Sequence, residues 1–228
     1  MTSSRFSHRH ADAADVVRAA HHQIGNSLQS VASLLRLESR AAPPGAAAIL
    51  SEAGRRVRAV MHLHQRLQQG GGDAVRLDEL LGDICRDVAE LDPLDRVAAM
   101  RVDIEPLYAD ARTASALAMI AAEWVGNALE HGLAEQPGLV EVTLERTDAG
   151  ARLTVTDTGV GASRGDWTTG FGLSLVSRLA GQLGADLHRS VGATGSRFEL
   201  TFPGVWSASP PPPSPPAARR PPSRPSRT

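Results

Sequence analysis

The sequence predicts an α+β protein in which a helical hairpin is followed by an α/β sandwich. Two prolines and a glycine at 43–45 separate two segments whose apolar residues recur at alternating spacings of three and four, which is typical of paired helices. Glycines at 70–72 precede a stretch of alternating apolar residues, which is typical of strands. We expect a polar lead at 1–11, the hairpin at 12–69, the sandwich at 73–204 and a disordered Pro/Arg-rich tail at 205–228.

Composition narrows the classes of function. The chain has 228 residues, and the 42% that are hydrophobic supply enough apolar surface for real cores. Its formal net charge of −1 gives no field to recruit a nucleic acid, so we expect no such partner. A single cysteine excludes a disulfide framework. Because no segment approaches the roughly 20 apolar residues that cross a bilayer, we expect a cytoplasmic protein without a membrane partner.

Each helix of the hairpin has one apolar seam. The seam consists of Val17, His21, Ile24, Leu28, Val31 and Leu35 on the first helix, and of Ala46, Leu50, Ala53, Val57, Val60, His64 and Leu67 on the second. A lone pair of helices has no further partner to cover these seams. We therefore expect a homodimer in which two hairpins form a four-helix bundle.

The sandwich combines helices with several alternating strands. A helical face carries Leu80, Leu81, Ile84, Val88 and Leu91, and a long alanine-rich helix is expected at 114–131. The strands are marked by Met100, Val102 and Ile104, by Val140, Val142 and Leu144, by Leu153 and Val155, and by Phe198, Leu200 and Phe202. Cys85 lies on the first helical face and is expected to be buried.

Two adjacent histidines lie on the first helix. His21 falls on the seam, whereas His22 is rotated by about 100° and should flank the bundle, where a second domain can reach it. A neutral imidazole is a competent nucleophile toward the γ-phosphoryl group of ATP. His22 is therefore the candidate phosphoacceptor. The pair alone is more typical of ordinary helix residues, and the candidate nucleotide site later in the chain is what favours the phosphoacceptor.

Two segments of the sandwich carry residue types that suit phosphates. Glu123 and Asn127 lie four apart and therefore on one helical face. Gly170, Gly172 and Leu173 open a helix, whose free amides and positive end favour phosphate binding. Two glycines at this spacing are by themselves a weak signal for phosphate binding, and the order of the segments along the chain strengthens it.

A third segment suits a purine base. Asp157 follows a strand, so its carboxylate can accept a hydrogen bond from an adenine amino group. Gly159 and Gly161 would let the backbone approach the base. The same residues alone are equally typical of a hairpin turn.

These segments resemble a known family. Residues 22–29 and 56–67 resemble the dimerisation and phosphoacceptor hairpin of the HisKA_2 class of two-component sensor histidine kinases. The segments at 123–131, 157–161 and 170–173 resemble the boxes of the GHKL (Bergerat) ATPase fold, and Gly195 and Ser196 resemble its closing element. The resemblance implies ATP and Mg²⁺ as cofactors and a response-regulator receiver domain as partner. It implies catalytic roles for His22 and Glu123, and nucleotide binding by Asn127, Asp157, Gly159, Gly161, Gly170, Gly172, Leu173 and Ser196. Gln23 and Asn26 are further catalytic candidates because of the chemistry of their amides.

The resemblance also assigns Mg²⁺ to Asn127 through the phosphates of ATP, and a structural role to His64. The chain departs from the family beside the acceptor. Gln23 and Gly25 stand where cationic residues are usual, which removes two charges that could steady a migrating phosphoryl group. Gln23 and Asn26 place amides there instead, a chemistry suited to orienting a water against an aspartyl phosphate. We therefore expect phosphatase activity or phosphotransfer to be prominent.

Three functions remain open. The first is a histidine kinase that phosphorylates itself from ATP and passes the group to a receiver aspartate. The second is a histidine phosphotransferase or phosphatase adaptor with a largely structural ATP domain. The third, which we favour least, is an anti-sigma serine kinase, to which the Glu130 region is closer. No input module is visible in the sequence, so the signal is expected from a separate sensory protein or from none.

Overall fold

The computed structural model describes residues 4–70, 74–90, 97–133, 137–159, 171–192, 194–204, 206, 207 and 209. The side chains of 4–22, 70 and 171 are not part of that description. The predicted sites Gly161 and Gly170, the side chain of His22 and most of the predicted tail lie outside the described residues.

The chain opens with a hairpin of two long helices. Helix α1 spans Ser4–Ala41 and helix α2 spans Pro44–Gly70. Pro44 is the first residue of α2, where its fixed φ suits a helix and its missing N–H costs no hydrogen bond. Because α1 begins at Ser4, helical backbone reaches into the region that we expected to precede the hairpin.

The rest of the described chain forms an α/β unit. Its elements, in order, are β1 Ala74–Arg76, α3 Leu77–Glu90, β2 Val97–Ile104, β3 Tyr108–Asp110, α4 Ala111–Asn127, a π-helical turn Ala128–Gly132, β4 Gly138–Thr147, β5 Gly150–Asp157, α5 Phe171–Leu183, β6 Asp186–Gly192 and β7 Gly195–Pro203. The predicted α+β class, with a helical hairpin followed by an α/β sandwich, is confirmed.

A five-stranded mixed sheet forms one layer, in the order β2-β4-β5-β7-β6. Strands β2 and β4 are parallel, and the remaining pairs are antiparallel. Val142 pairs with Val155 of β5, which in turn pairs with Phe198 of β7. The inner face is therefore continuous, and it is buried against the helices. The small β1–β3 pair lies apart from this sheet.

Helix α4 is the central element of the core. Asp110 caps it by accepting a hydrogen bond from the Thr113 N–H over 2.8 Å. Trp124 is fully buried and stacks on Phe198 with ring centroids 5.7 Å apart. The sequence predicted one helix at 114–131, but α4 ends at Asn127 and the π-helical turn continues to Gly132. Cys85 is buried as expected.

The seam of α2 differs from the prediction. The buried apolar side chains of α2 are Ala59 and Leu63, which join the core of the α/β unit and lie off the predicted seam. Helix α2 packs against α1 on one side and against α4 and α3 on another. A seam derived from helix pairing alone detects only the first of these surfaces. None of the helices in the described part of the chain combines the length and apolar character that a bilayer crossing requires.

Candidate functional site

Asp157 ends strand β5 with a buried carboxylate. The side chain is 6% exposed, and its Oδ1 accepts hydrogen bonds from the Gly159 N–H at 3.0 Å and the Ser196 N–H at 3.3 Å. Burial raises the pKa of Asp157 above its ordinary value, and the two N–H donors offset part of this rise. Among the described residues, Oδ2 has no hydrogen-bond partner although it is buried. This oxygen can accept a hydrogen bond from a ligand amino group.

Three glycines enclose this carboxylate. A Cβ on Gly132 would lie 2.6 Å from Asp157 Cγ, and one on Gly159 would lie 1.7 Å from the Gly132 carbonyl oxygen. Gly195 has a φ of +136°, and a Cβ there would lie 1.9 Å from the Asp157 carbonyl oxygen. The close approach of three backbones thus brings the end of the π-helical turn and the β6–β7 turn against one side chain.

Asn127 lies at the junction of α4 and the π-helical turn. Its side chain is half-buried, and it follows Glu123 by one helical turn on the same face. Among the described residues, no group of three or more histidine, cysteine, aspartate and glutamate side chains could hold a metal ion. A single amide oxygen fits a magnesium ion whose other ligands are water and phosphate oxygens.

Glu123 is fully buried on α4 and pairs with the hairpin. Its Oε1 accepts a hydrogen bond from Arg56 Nε of α2 at 2.7 Å, and Arg56 also pairs with Glu52. Among the described residues, Glu123 Oε2 has no hydrogen-bond partner. Burial raises the pKa of Glu123, while the hydrogen bond and charge of Arg56 act in the opposite direction.

The start of α5 lies close to the carboxylates of Glu123 and Glu52. A Cβ on Gly172 would lie 2.6 Å from Glu123 Oε2 and 2.8 Å from Glu52 Oε1. Leu173 follows, half-buried against the core. A glycine at 172 therefore lets the first turn of α5 approach α2 and α4 closely.

Arg55, a second arginine of α2, packs against α4. Arg55 is 7% exposed, and its Nη1 pairs with Glu130 Oε1 at 2.5 Å. A Cβ on Gly126 would lie 2.3 Å from Arg55 Nε, so this glycine makes room for the guanidinium group. Arg55 thus clamps α2 onto the end of α4.

The phosphoacceptor candidate lies elsewhere on the hairpin. Residue 22 belongs to α1, and Gln23 and Asn26 present exposed side chains one turn apart. Leu35 Cβ lies 3.8 Å from the Cβ position of Gly54, so these residues are level across the hairpin. Arg56 is then level with residue 33, and residue 22 lies about 16 Å farther along the hairpin axis at 1.5 Å per residue.

The structure therefore brings together one part of the predicted site and separates another. Asp157, Gly159 and Ser196 meet at the base end, and Glu123 meets Gly172 at the start of α5. Sequence reasoning missed Glu52, Arg55 and their contacts, together with the role of Gly132. The spacing of Glu52 and Arg56 by four residues was an available signal for an ion pair on one helix, but nothing in it indicated α4 as the partner.

Comparison with known proteins agrees with this architecture. Residues 20–92 match HisKA_2, a histidine kinase family model, and residues 113–205 match HATPase_c, the histidine kinase-, DNA gyrase B- and HSP90-like ATPase. The chain is 33% identical over 191 residues to the sensor histidine kinase PdtaS of Mycobacterium tuberculosis. That match covers 79% of this chain and 37% of the relative, so the chain spans little more than a third of that protein.

A second relative and a solved structure point the same way. Blue-light-activated histidine kinase 2 of Erythrobacter litoralis is 26% identical, over 80% of this chain and 55% of the relative. The histidine kinase domain of the Erythrobacter litoralis EL346 blue-light activated histidine kinase superposes with a TM-score of 0.65 at 24% identity. It covers 81% of this chain and 94% of that structure, which shows a shared fold. The chain therefore combines a segment that matches the HisKA_2 histidine kinase model, residues 20–92, with one that matches the HATPase_c model, residues 113–205, and both segments resemble sensor histidine kinases.

Proposed function

We propose that this chain is a cytoplasmic two-component histidine kinase that transfers the γ-phosphoryl group of ATP to His22 and then to an aspartate of a response-regulator receiver domain. The observation that carries the proposal is the buried Asp157 carboxylate, which glycines enclose and whose Oδ2 has no hydrogen-bond partner among the described residues. The exocyclic amine of adenine is the kind of donor that such an oxygen accepts. The matches to histidine kinase family models supply the reaction class, phosphoryl transfer from ATP to a histidine.

The remaining nucleotide contacts follow from the fold. The phosphates would extend from Asp157 toward Asn127 and the first turn of α5, which begins at Phe171. The amides of a first helical turn have no acceptor within their own helix and therefore suit phosphates. Asn127 would hold Mg²⁺ through its amide oxygen, and the ion would supply charge neutralisation for the phosphates. Predicted contacts at Gly161 and Gly170 complete the proposed site.

The proposed reaction has two balanced steps. An imidazole nitrogen of His22 attacks the γ-phosphorus, an N–P bond forms, and the P–O bond to ADP breaks. Glu123, once released from Arg56, would orient the imidazole and accept its proton. In the second step a receiver carboxylate oxygen attacks the phosphorus, and the N–P bond breaks to return the histidine.

One observation favours phosphatase activity at the same hairpin. Gln23 and Asn26 are both exposed on α1, one turn apart and next to residue 22. Their amides can orient a water against an aspartyl phosphate on a docked receiver. We propose that dephosphorylation of the receiver accompanies the kinase reaction.

We also propose that the chain acts as a homodimer. Five large apolar side chains of the hairpin are exposed in the single chain, at 45–66%: Ile24, Val31, Leu34, Leu37 and Ile49. Four of them lie on α1, at positions that a second hairpin would cover in a four-helix bundle. A separate sensory protein would then act on this dimer to set the kinase activity.

The decisive experiment is phosphoryl labelling. Purified protein is incubated with Mg²⁺ and γ-labelled ATP, and acid-labile, base-stable label is followed on the wild type and on His22→Gln. His64→Gln is the matched control, because it removes a histidine from the other helix of the hairpin. We expect label on the wild type and on the control but none on His22→Gln. Label that persists on His22→Gln would exclude His22 as the acceptor.

A second variant separates nucleotide binding from transfer. Asp157→Asn should abolish labelling together with binding of a fluorescent ATP analogue. Binding without labelling of the wild type would favour the phosphotransferase or phosphatase adaptor, in which His22 receives its phosphoryl group from a partner.

A further inference from the structure

A line of arginines docks α2 onto the ATPase domain. Arg58 pairs with Asp87 at 2.7 Å, and Arg66 pairs with Asp83 and Glu79 of α3. Arg55 and Arg56 pair with Glu130 and Glu123, as described above. Ion pairs, partly or wholly shielded from water, therefore hold this face of the hairpin against α3 and α4.

Glu52 is the acidic residue of α2 within this contact. Its side chain is 20% exposed and its Oε1 lies 2.8 Å from the Cβ position of Gly172, in the first turn of α5. The backbone amides of a first helical turn have no acceptor within their own helix, and the positive end of the helix favours an anion. The Glu52 carboxylate thus lies against the first turn of α5, beside the place where the proposed site would hold phosphates.

The surroundings of Glu52 suit a carboxylate that can withdraw from the first turn of α5. Beside it, Glu123 Oε2 is buried and has no hydrogen-bond partner among the described residues. Arg56 lies between the two carboxylates and pairs with each. If Glu52 withdraws, Arg56 retains a second carboxylate, and the first turn of α5 becomes free for another anion.

The docked arrangement also cannot perform transfer. Glu123 is held at Arg56, which is about 16 Å along the hairpin from the level of residue 22. For the γ-phosphoryl group to reach His22, the ATPase domain must leave its position on α2. Docking on α2 and phosphoryl transfer are therefore alternative states of the molecule.

We propose that Glu52 is an internal competitor of the nucleotide phosphates, so that docking of the hairpin and binding of ATP oppose one another. The inference rests on the proposed function, because it assumes that phosphates bind at the start of α5. Docking lowers the affinity for ATP, and ATP lowers the affinity of the ATPase domain for α2 by the same factor. A resting kinase is thereby held with its catalytic glutamate away from the acceptor.

The test compares Glu52→Gln with the wild type in equilibrium binding of a non-hydrolysable ATP analogue in the presence of Mg²⁺. We expect the analogue to bind Glu52→Gln at least about fivefold more tightly, the lower end of common coupling factors. Glu38→Gln is the matched control, because it removes the same charge from an exposed position of the hairpin. Its affinity should equal that of the wild type. Adenosine, which has no phosphates, should bind all three proteins equally.

Each other result has a definite meaning. Equal affinities of wild type and Glu52→Gln for the analogue would overturn this inference and leave the proposed kinase intact. A parallel gain for adenosine would overturn it too, because general loosening of the hairpin would then explain both gains. Failure of every variant to bind the analogue would overturn the proposed function and this inference together. Glu52→Ala, with its thermal unfolding measured beside the wild type, repeats the test if Glu52→Gln folds poorly.

Discussion

Arg56 of the hairpin donates a hydrogen bond over 2.7 Å to Glu123 of α4, whose side chain is fully buried. A buried ion pair is weak evidence for net stability, but removal of one partner is strongly destabilising because the other charge stays buried. The pair therefore makes the position of the hairpin dependent on the charge of Glu123, the proposed catalytic carboxylate.

We expect Arg56→Met to lower the free energy of unfolding by roughly 3 kcal/mol at neutral pH. Adding Glu123→Gln should recover most of this loss, since no charge is then left buried. Urea denaturation of the two single variants and the double variant measures the coupling. Arg76→Met is the control, because Arg76 is 43% exposed and its pair with Asp78 should be worth at most about 1 kcal/mol. A double variant as unstable as Arg56→Met would contradict this account.

Gly132 should be essential for nucleotide binding. Alanine there would place a Cβ 2.6 Å from Asp157 Cγ, so the carboxylate must move. We expect Gly132→Ala to weaken binding of an ATP analogue at least about tenfold, or about 1.4 kcal/mol. Gly181→Ala in α5 is the matched control, since nothing lies within 4 Å of its Cβ position. That variant should keep its affinity and gain up to about 1 kcal/mol of stability. Equal affinities of the two variants would show that the enclosure of Asp157 is unimportant.

The raised pKa of Asp157 should appear in the pH dependence of stability. The native carboxyl binds its proton more readily than the unfolded chain does, so the free energy of unfolding falls as pH rises between the ordinary value of 3.8 and the raised native pKa. Above the native pKa the cost is constant. Asp157→Asn removes this contribution, so the difference in unfolding free energy between wild type and variant should change across that interval. Urea denaturation at a series of pH values measures it, and a flat difference would contradict the prediction.

The amide at position 26 should matter for dephosphorylation of the receiver. We expect Asn26→Ala to slow it roughly tenfold, because an oriented water would lose a hydrogen bond. Gln29→Ala is the control, since it removes an exposed amide one turn farther along α1. Release of phosphate from a phosphorylated receiver is the measurement. Full activity of Asn26→Ala would remove the proposed phosphatase role.

The apolar surface of α1 predicts the oligomeric state. Val31 and Leu34 are 45% and 58% exposed, and a charge at either position would be buried in a dimeric bundle. We expect Val31→Glu or Leu34→Glu to weaken self-association at least about 100-fold, or about 2.7 kcal/mol. Sedimentation equilibrium measures this, with Arg40→Glu as the exposed control. A wild type that sediments as a monomer would exclude the homodimer.

The sequence was most informative where burial is periodic. Strands β4 and β7 were predicted because alternate side chains such as Val142 and Leu200 face one core. Strand β6 was missed because it lies at the sheet edge and nearly all of its side chains are exposed, so it has no apolar alternation.

Contacts between elements were the part that pattern could not supply. Asp157 was found because it follows an evident strand, but the three glycines that enclose it come from separate turns. The pairing of Arg55 and Arg56 with α4 depends on which face of α2 meets the ATPase domain. Apolar spacing does not encode that choice, since charged residues make the contact.

The π-helical turn after Asn127 ties the two ends of the proposed nucleotide site into a single piece of backbone. The Leu133 N–H reaches back to the Ala128 carbonyl oxygen at 2.8 Å, which closes a wide loop of five residues. Asn127 stands at one side of this loop and Gly132 at the other, against Asp157. If a metal-bound phosphate displaces Asn127, this continuous turn would carry the displacement to Gly132 and the Asp157 carboxylate. Binding at the phosphate end and binding at the base end of the proposed nucleotide site would then be coupled.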